Sequence, residues 1–461
     1  MVMDEVIARC AKGCPEAVMT RLALQHALEP AWIDELFERE KGKQYRRELL
    51  FSTTVELMSL VAVGLRPSLH AALQQYPELP VSLQAVYDKI RHTEPALVRA
   101  LVTGSAARLG EVVKPLIKHK APTVPGYQLR IVDGSHLPGT EKRLKPLRGF
   151  GGAPLPGHSL VVYDPDLQMI VDLEPCEDAY TQERAVMSPL LDRAGPGELW
   201  IADRAFSTRA IIGGWSRSGC NFIVREHSSA PHPTVLNDLI GKGRIDTGCV
   251  YEQAVEVKCE TVTVTVTLRR IELHLKSKTT SGESIIRILS NLPEKQFSAR
   301  AIARLYRQRW KIESMFQRLE SVLNSEVKTL GHPRSALFAF GIAILAYNVL
   351  SVLQLAIWAA HENELHDQGI ELSPFYVALE VKVHYAGMMT ATSTEAWQCY
   401  DLLNTSQLRD FLLEIAAHAR PKTLRKHPRG PKKPKTKPPV SLAEKRRHVS
   451  TARVLKDGFI R

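Results

Sequence analysis

Residues 306–320 read YRQRWKIESMFQRLE, a basic and aromatic stretch that carries two glutamates. Leu305, Ile312, Phe316, Leu319 and Leu323 recur at spacings of 7, 4, 3 and 4. This is the apolar stripe of an amphipathic helix. At about 100° per residue, Tyr306, Arg309, Glu313 and Glu320 fall on a second face beside that stripe. Glu313 therefore lies at the edge of the buried surface with Arg309 one turn before it. An i,i+4 ion pair on a half-exposed helix explains the two residues by themselves. A second explanation needs acidic partners from elsewhere in the chain.

Such partners lie upstream, where the texture of the sequence changes. Residues 1–120 read as helices broken by Pro30, Pro67, Pro77 and Pro80. From Tyr127 onward, YQLRIVDG predicts a short strand ending in Asp133-Gly134. RGFGGAPLPGH is a loop, and SLVVYDPDLQMIVDLEP reads as two strands joined at the Asp164–Asp166 turn. TQERAVMSPLLDRAG predicts a helix opening at Thr181 with Glu183 and Arg184 in its first turn. LWIADRAF is a further strand, ending at Asp203. STRAIIGGWSRSG is a helix and NFIVRE a strand. Residues 228–296 break the alternation with period-two patterning (TVTVTVTLRRIELHL), a β-rich insertion. The helix of the opening stretch follows, with Ser298 as its N-cap.

This order predicts an α/β protein: a mixed sheet flanked by helices, of ribonuclease-H-like type. Asp133 and Asp203 then end the first and fourth strands. If those strands are parallel neighbours, both carboxylates emerge at one sheet edge, where open α/β sheets place their sites. Glu313 can pack over the same edge. Three carboxylates without nearby Cys or His select a hard cation, Mg²⁺ or Mn²⁺. A site of this kind can hold two ions about 3.5–4 Å apart and suits phosphodiester chemistry. Taken singly, Asp133-Gly134 is also a plain turn signal and Asp203 a helix-start charge.

Composition narrows the alternatives. The chain has 461 residues, enough for two or three domains, and seven scattered cysteines, an odd number that argues against a disulfide framework and for a reducing compartment. Cys10 and Cys14 lack a second ligand pair for zinc. The N-terminus lacks the apolar core of a signal peptide. Residues 420–461 hold 15 Lys/Arg and two acids, which leaves 46 Lys/Arg against 47 Asp/Glu in the rest of the chain. A near-neutral body thus ends in a Lys/Pro-rich tail suited to polyanions. Ala336–Ala360 has no formal charge over 25 residues and is long enough to span a bilayer. Asn348, Ser351 and Gln354 give it one polar edge, however, and no Lys/Arg cluster flanks it. The expectation is a buried core helix and no membrane.

In these residues the chain resembles the DDE transposases of bacterial insertion sequences, in the insertion sequence 4 type branch marked by Y-x2-R-x3-E-x6-K. Tyr306, Arg309 and Glu313 fit the first three positions, and Glu320 stands where that branch has lysine. IVDGS around Asp133, WIADRAF around Asp203, the β-rich insertion and the apolar helix after Gly331-His332-Pro333 complete the resemblance, which covers about residues 120–360.

The resemblance implies a Mg²⁺-dependent catalytic site of Asp133, Asp203 and Glu313, with Mn²⁺ as a substitute. It implies cleavage at the ends of a mobile element, joining of the 3′-OH ends to target DNA, and a hairpin intermediate. Tyr306, Arg309, Arg204, Lys311 and Lys328 are the expected DNA contacts. The expected partners are double-stranded DNA, both terminal inverted repeats and target, and a second copy of the chain in a synaptic complex. The expected setting is a bacterial cytoplasm, at the nucleoid. Residues 1–120 form a helical end-binding domain in this reading. Residues 121–360 form the catalytic domain with its insertion at 228–296, 361–419 a helical C-terminal region, and 420–461 the basic tail. Two other readings share these residues: a metal-dependent nuclease, and a catalytically silent DNA-binding descendant, which Glu320 favours.

Overall fold

A computed structural model describes residues 4–457, apart from 43, 45–47, 78, 260–263, 280, 326 and 428–447. Most of the basic tail therefore lies outside the described residues.

Seven helices come first: α1 (Glu5–Gly13), α2 (Pro15–Ala27), α3 (Pro30–Glu40), α4 (Phe51–Ala62), α5 (Leu69–Leu73), α6 (Leu83–Arg91) and α7 (Pro95–Leu116). Prolines occupy the first positions of α2, α3 and α7, where their missing N–H costs nothing. Side chains of Asp4, Ser68 and Ser82 cap α1, α5 and α6.

The sheet region follows. It comprises β1 (Gln128–His136), β2 (Ala153–Leu155), β3 (His158–Asp164), β4 (Met169–Cys176), α8 (Ser188–Arg193), β5 (Glu198–Ala202), α9 (Arg209–Arg217) and β6 (Asn221–Arg225). The insertion adds β7 (Thr234–Val235), β8 (Ile240–Ile245), β9 (Gly248–Cys259), β10 (Val264–Leu275) and β11 (Ile285–Ser290). The main sheet has ten strands in the order β4-β3-β1-β5-β6-β11-β10-β9-β7, with β8 also paired to β9. β1, β3 and β4 form an antiparallel meander, and β1, β5 and β6 run parallel. The insertion is continuous with this sheet, because β11 pairs antiparallel to β6. The mixed sheet flanked by helices is the architecture read from the sequence.

Three local expectations need correction. β1 does not stop at Asp133: its ladder with β3 runs on to His136, while its ladder with β5 ends at the Val132–Ala202 pair. The helix expected from Thr181 is instead a 3₁₀ turn, Glu183–Val186, followed by α8. Pro189 has no N–H to bond back into a continuous α-helix, so the helix restarts at Ser188. The opening stretch is also not one helix. α10 (Ala299–Tyr306), capped by Ser298, gives way to a 3₁₀ turn at Arg307–Arg309 and then to α11 (Trp310–Val322). On the expected stripe Ile312, Leu319 and Leu323 are buried, Leu305 and Phe316 only partly, and Met315 and Tyr306 join the core.

The C-terminal part holds α12 (Pro333–Ala360), α13 (Glu362–Asp367), α14 (Pro374–Ala391), α15 (Thr394–Gln398), α16 (Thr405–Ala416), β12 (His448–Ser450) and α17 (Thr451–Asp457). α12 is the one helix among the described residues long and apolar enough for a membrane, and its apolar window is wholly buried inside the protein. Helices α2, α4, α6, α7, α14 and α16 pack around it, so the N-terminal helices share one apolar core with it. Its polar edge pins the sheet. Asn348, fully buried, donates to the Ile170 carbonyl at 2.8 Å and accepts from the Ile170 N–H at 2.9 Å. The Ser351 hydroxyl donates to the Gln168 carbonyl at 2.7 Å. Edge strand β4 thereby finds partners for backbone groups that a buried edge would leave unpaired.

Candidate active site

β1 and β5 stand at the point where the connections turn in opposite directions, β1 toward β3 and β5 toward β6. Asp133 and Asp203 are the next residues beyond the last parallel pair, Val132–Ala202. Register alone therefore sets the two carboxylates side by side at the carboxyl end of the sheet, at its topological switch.

α11 packs against β1 and brings Arg309 and Glu313 to this edge. Arg309 Nη2 donates to Glu313 Oε1 at 2.6 Å, and Nη1 lies 3.5 Å from Asp133 Oδ2. The Tyr306 hydroxyl lies 3.4 Å from Asp203 Oδ1. The guanidinium is largely buried, with its side chain 11% exposed, against 21% for Asp133 and 34% for Glu313. Arg309 thus joins Asp133 to Glu313, and Tyr306, the last residue of α10, joins that preceding helix to Asp203. The half-exposed i,i+4 pair expected from the helix wheel exists, and the same arginine also reaches Asp133.

Burial pushes the Asp133 carboxyl up from 3.8 to about 6; Arg309 and the Gly134 N–H, which donates to Oδ1 at 3.0 Å, oppose the rise, and Glu183 and Asp203 add to it. Burial also works against the Arg309 charge, but Tyr306, Asp203, Glu313 and Asp133 together hold it protonated. Burial and Asp203 raise the Tyr306 phenol, so its O–H stays a donor at neutral pH.

Among the described residues no three acidic, histidine or cysteine side chains close on a single point as a bound metal requires. The donor chemistry nevertheless fits a hard divalent cation. Asp133, Asp203 and Glu313 are all-oxygen ligands, and a buried carboxylate raised toward 6 is short of positive charge. The Arg309 guanidinium stands between two of the three acids, where such a cation would sit.

The other expected DNA contacts fall in different places. Arg204 is exposed just beyond Asp203, 3.5 Å from Glu283. It lines an open cleft of about 560 Å³ with His136, Tyr180, Glu183 and His227. Lys328 is exposed, and its carbonyl accepts from Glu141 N–H in the loop after β1. Lys311 lies in the first turn of α11, and the charges that act on it are Asp166 and Lys120 rather than the three carboxylates. Glu320 is exposed on α11.

Three further residues belong to this edge and did not stand out in the sequence. Glu183 lies across β1: its Oε1 is 3.3 Å from His136 Nε2, and a Cβ built on Gly134 would meet that carboxylate oxygen at 2.0 Å. Gly134 after Asp133 is therefore more than a turn residue; it leaves room for a fourth acid. Trp310 is 60% exposed, with Arg309 5.3 Å from its ring centroid. Arg225, at the end of β6, donates to Glu283 at 2.5 Å. An exposed tryptophan beside a buried arginine is a signal that the helix wheel alone hides.

Asp133, Asp203 and Glu313 thus lie at the sheet's switch point beside a basic and aromatic segment. Residues 124–349 match the transposase DDE domain, and this match supports a DDE transposase. No curated protein matches the chain. Among solved structures, the cryo-EM structure of a piggyBac transposase synaptic complex with hairpin DNA aligns over 98% of this chain and 91% of that one, at 11% identity and a TM-score of 0.38. That likeness is too loose to bear on function.

Proposed function

We propose that the protein is a DNA transposase of the insertion sequence 4 type with a ribonuclease-H-like catalytic domain. It cuts at the ends of a mobile element and joins the freed 3′-OH ends to target DNA. The observation that carries this reading is the convergence of Asp133 and Asp203 on the β1–β5 edge, with Arg309 joining Asp133 to Glu313.

In this reading Asp133, Asp203 and Glu313 hold Mg²⁺, or Mn²⁺ in its place. A cation held there would supply activation of the attacking oxygen and charge stabilisation at the leaving one. The chain's own residues do the rest. Burial keeps bulk water from Asp133 and makes each charge at the site count for more. Tyr306 holds Asp203 in place through its hydroxyl. Arg309, fixed and planar, is suited to a phosphate, and binding DNA would draw it from Glu313 toward the backbone and free that carboxylate. Trp310 offers an exposed ring on which an unpaired base can stack, which fits cleavage through a hairpin. Arg204 and Lys328, both exposed, would contact phosphates flanking the scissile bond. Helices α1–α7 would read the terminal repeats, and the basic tail would add salt-dependent affinity. A second copy would bind the other end in the synaptic complex, at a bacterial nucleoid.

One observation favours a different reading. Glu313 is already paired with Arg309, and Glu320 stands at the lysine position, as a silent DNA-binding descendant would allow. Incubating the full chain and Mg²⁺ with a plasmid that carries the DNA flanking its reading frame separates the possibilities. A transposase cuts and joins, a nuclease cuts without joining, and a silent binder only shifts the DNA. Absence of both cutting and joining would overturn the proposal.

A further inference from the structure

Beyond the lysine-rich stretch the chain returns to the catalytic domain. β12 adds in parallel to β2, with His448 opposite Ala153 and Ser450 opposite Leu155. The Ser450 hydroxyl donates to Asp178 Oδ1 at 2.7 Å, and Arg453 Nε donates to Asp178 Oδ2 at 2.8 Å. The Tyr180 hydroxyl donates to the His448 carbonyl at 2.5 Å, and the Arg453 guanidinium lies 5.1 Å over the Tyr180 ring. Ser450 and Thr451 are fully buried, and α17 packs against the 3₁₀ turn Lys145–Leu147. Terminal segments are usually loose unless something ties them down. Here a strand pairing, both oxygens of one aspartate and an aromatic ring hold about two turns of helix.

The residues gripped are next to the site. Asp178 and Tyr180 begin the segment that leads into the 3₁₀ turn Glu183–Val186. Glu183 from that turn lies over Gly134, beside Asp133. Tyr180 and Glu183 share the cleft with Arg204 and His136. The chain before the lysine-rich stretch is anchored as well: Lys426 N–H donates to the Glu371 carbonyl at 2.7 Å, and Arg425 bridges to Leu372. Residues 428–447, with eight Lys/Arg and one acid, therefore run between two anchored ends.

We propose that residues 448–457 are a clasp that positions the cleft wall, residues 178–186, against the catalytic carboxylates. The clasp is a positioning element and touches no reacting atom. The positioning role rests on the transposase reading for its activity readout, while the physical grip does not.

The test uses the full chain and a chain ended after residue 447, which keeps the basic stretch. Hydrogen exchange at residues 178–186, thermal melting, DNA affinity and plasmid nicking are read on both. The truncated chain is expected to stay folded with a somewhat lower melting temperature, since the buried Ser450 and Thr451 contacts are lost, to keep its DNA affinity, to exchange those amides about tenfold faster or more, and to nick more slowly by about the same factor. A synthetic peptide of residues 445–461 added to it should restore both. Unchanged protection of 178–186 overturns the clasp. Faster exchange with full nicking overturns its positioning role. Faster exchange in a protein whose full chain never nicks leaves the grip standing and rejects the transposase reading instead. Arg453→Ala and Arg453→Lys in the full chain give an independent check, with lysine expected to restore part of the protection.

Discussion

Asp133 carries the largest electrostatic burden of the site. Its carboxyl is raised from 3.8 to about 6, so the folded state holds its proton to a higher pH than the unfolded chain. Between those values the folded state binds more protons, and stability falls as pH rises. Asp133→Asn removes that cost. It is expected to stabilise the protein above about pH 6, by on the order of 2 kcal/mol after allowing for partial exposure, and to have little effect near pH 4. Urea denaturation at both pH values checks this, and an equal effect at each would refute it. Arg309 makes the second prediction at this scale. Its guanidinium competes for the carboxylates a cation would use, so Arg309→Ala should bind Mn²⁺ more tightly in the absence of DNA and bind DNA more weakly. Weaker Mn²⁺ binding would show that Arg309 organises the acids and does not compete for them. The apolar runs that lead to Asp133 and Asp203 and the helical spacing around Glu313 were legible in the sequence because they are local patterns, although β1 runs on past Asp133 to His136. Glu183 was not, since its place depends on a 3₁₀ turn and on the missing Cβ of Gly134.

At the scale of elements, α12 and α11 do the positioning. α12 is apolar enough to pass for a membrane span, and what settles its place is the fit of Asn348 to both backbone groups of Ile170. Asn348→Leu keeps a similar volume but leaves that N–H and C=O buried without partners. The expected loss is about 1–3 kcal/mol, read by denaturation, together with faster hydrogen exchange along β4. No loss would mean that water or a shift of β4 replaces the amide. On α11, Glu320 is exposed, at the position where the proposed insertion sequence 4 type reading would have lysine. Glu320→Lys should raise DNA affinity or nicking, because it removes a carboxylate and adds a cation near the phosphate path; an unchanged or lower value would assign Glu320 another role. The three-residue polar recurrence in α12 was visible in the sequence, but its partner was not, because Ile170 is 178 residues away. The break at Arg307–Arg309 was invisible for a related reason: no proline or glycine marks it, and tertiary contacts of Tyr306 and Arg309 decide it.

For the whole molecule, strand order is what turns a scattered set of acids into one site. Asp133 and Asp203 are 70 residues apart and become neighbours because β1 and β5 pair in parallel. The alternation of strands and helices made a mixed sheet readable, whereas the parallel pairing of β1 with β5 entered the sequence reading only as a condition. The union of the N-terminal helices with α12 in one core was not readable, since it depends on which apolar faces meet. Charge is divided as unevenly as structure, with most of the excess in the C-terminal tail. Deleting residues 428–447 should flatten the salt dependence of DNA binding, with each lost phosphate contact lowering the slope of log K against log salt by about 0.9. An unchanged slope would place the phosphate contacts on the body of the protein. The central claim is that Asp133, Asp203 and Glu313 act as one cation-holding set. Electron paramagnetic resonance titration of Mn²⁺ into the protein–DNA complex tests it most directly, on the parent chain and on Asp133→Asn, Asp203→Asn and Glu313→Gln. The account predicts that each variant loses site-bound Mn²⁺ and plasmid nicking while it still binds DNA. A variant that keeps both the bound Mn²⁺ and the nicking of the parent chain would contradict it.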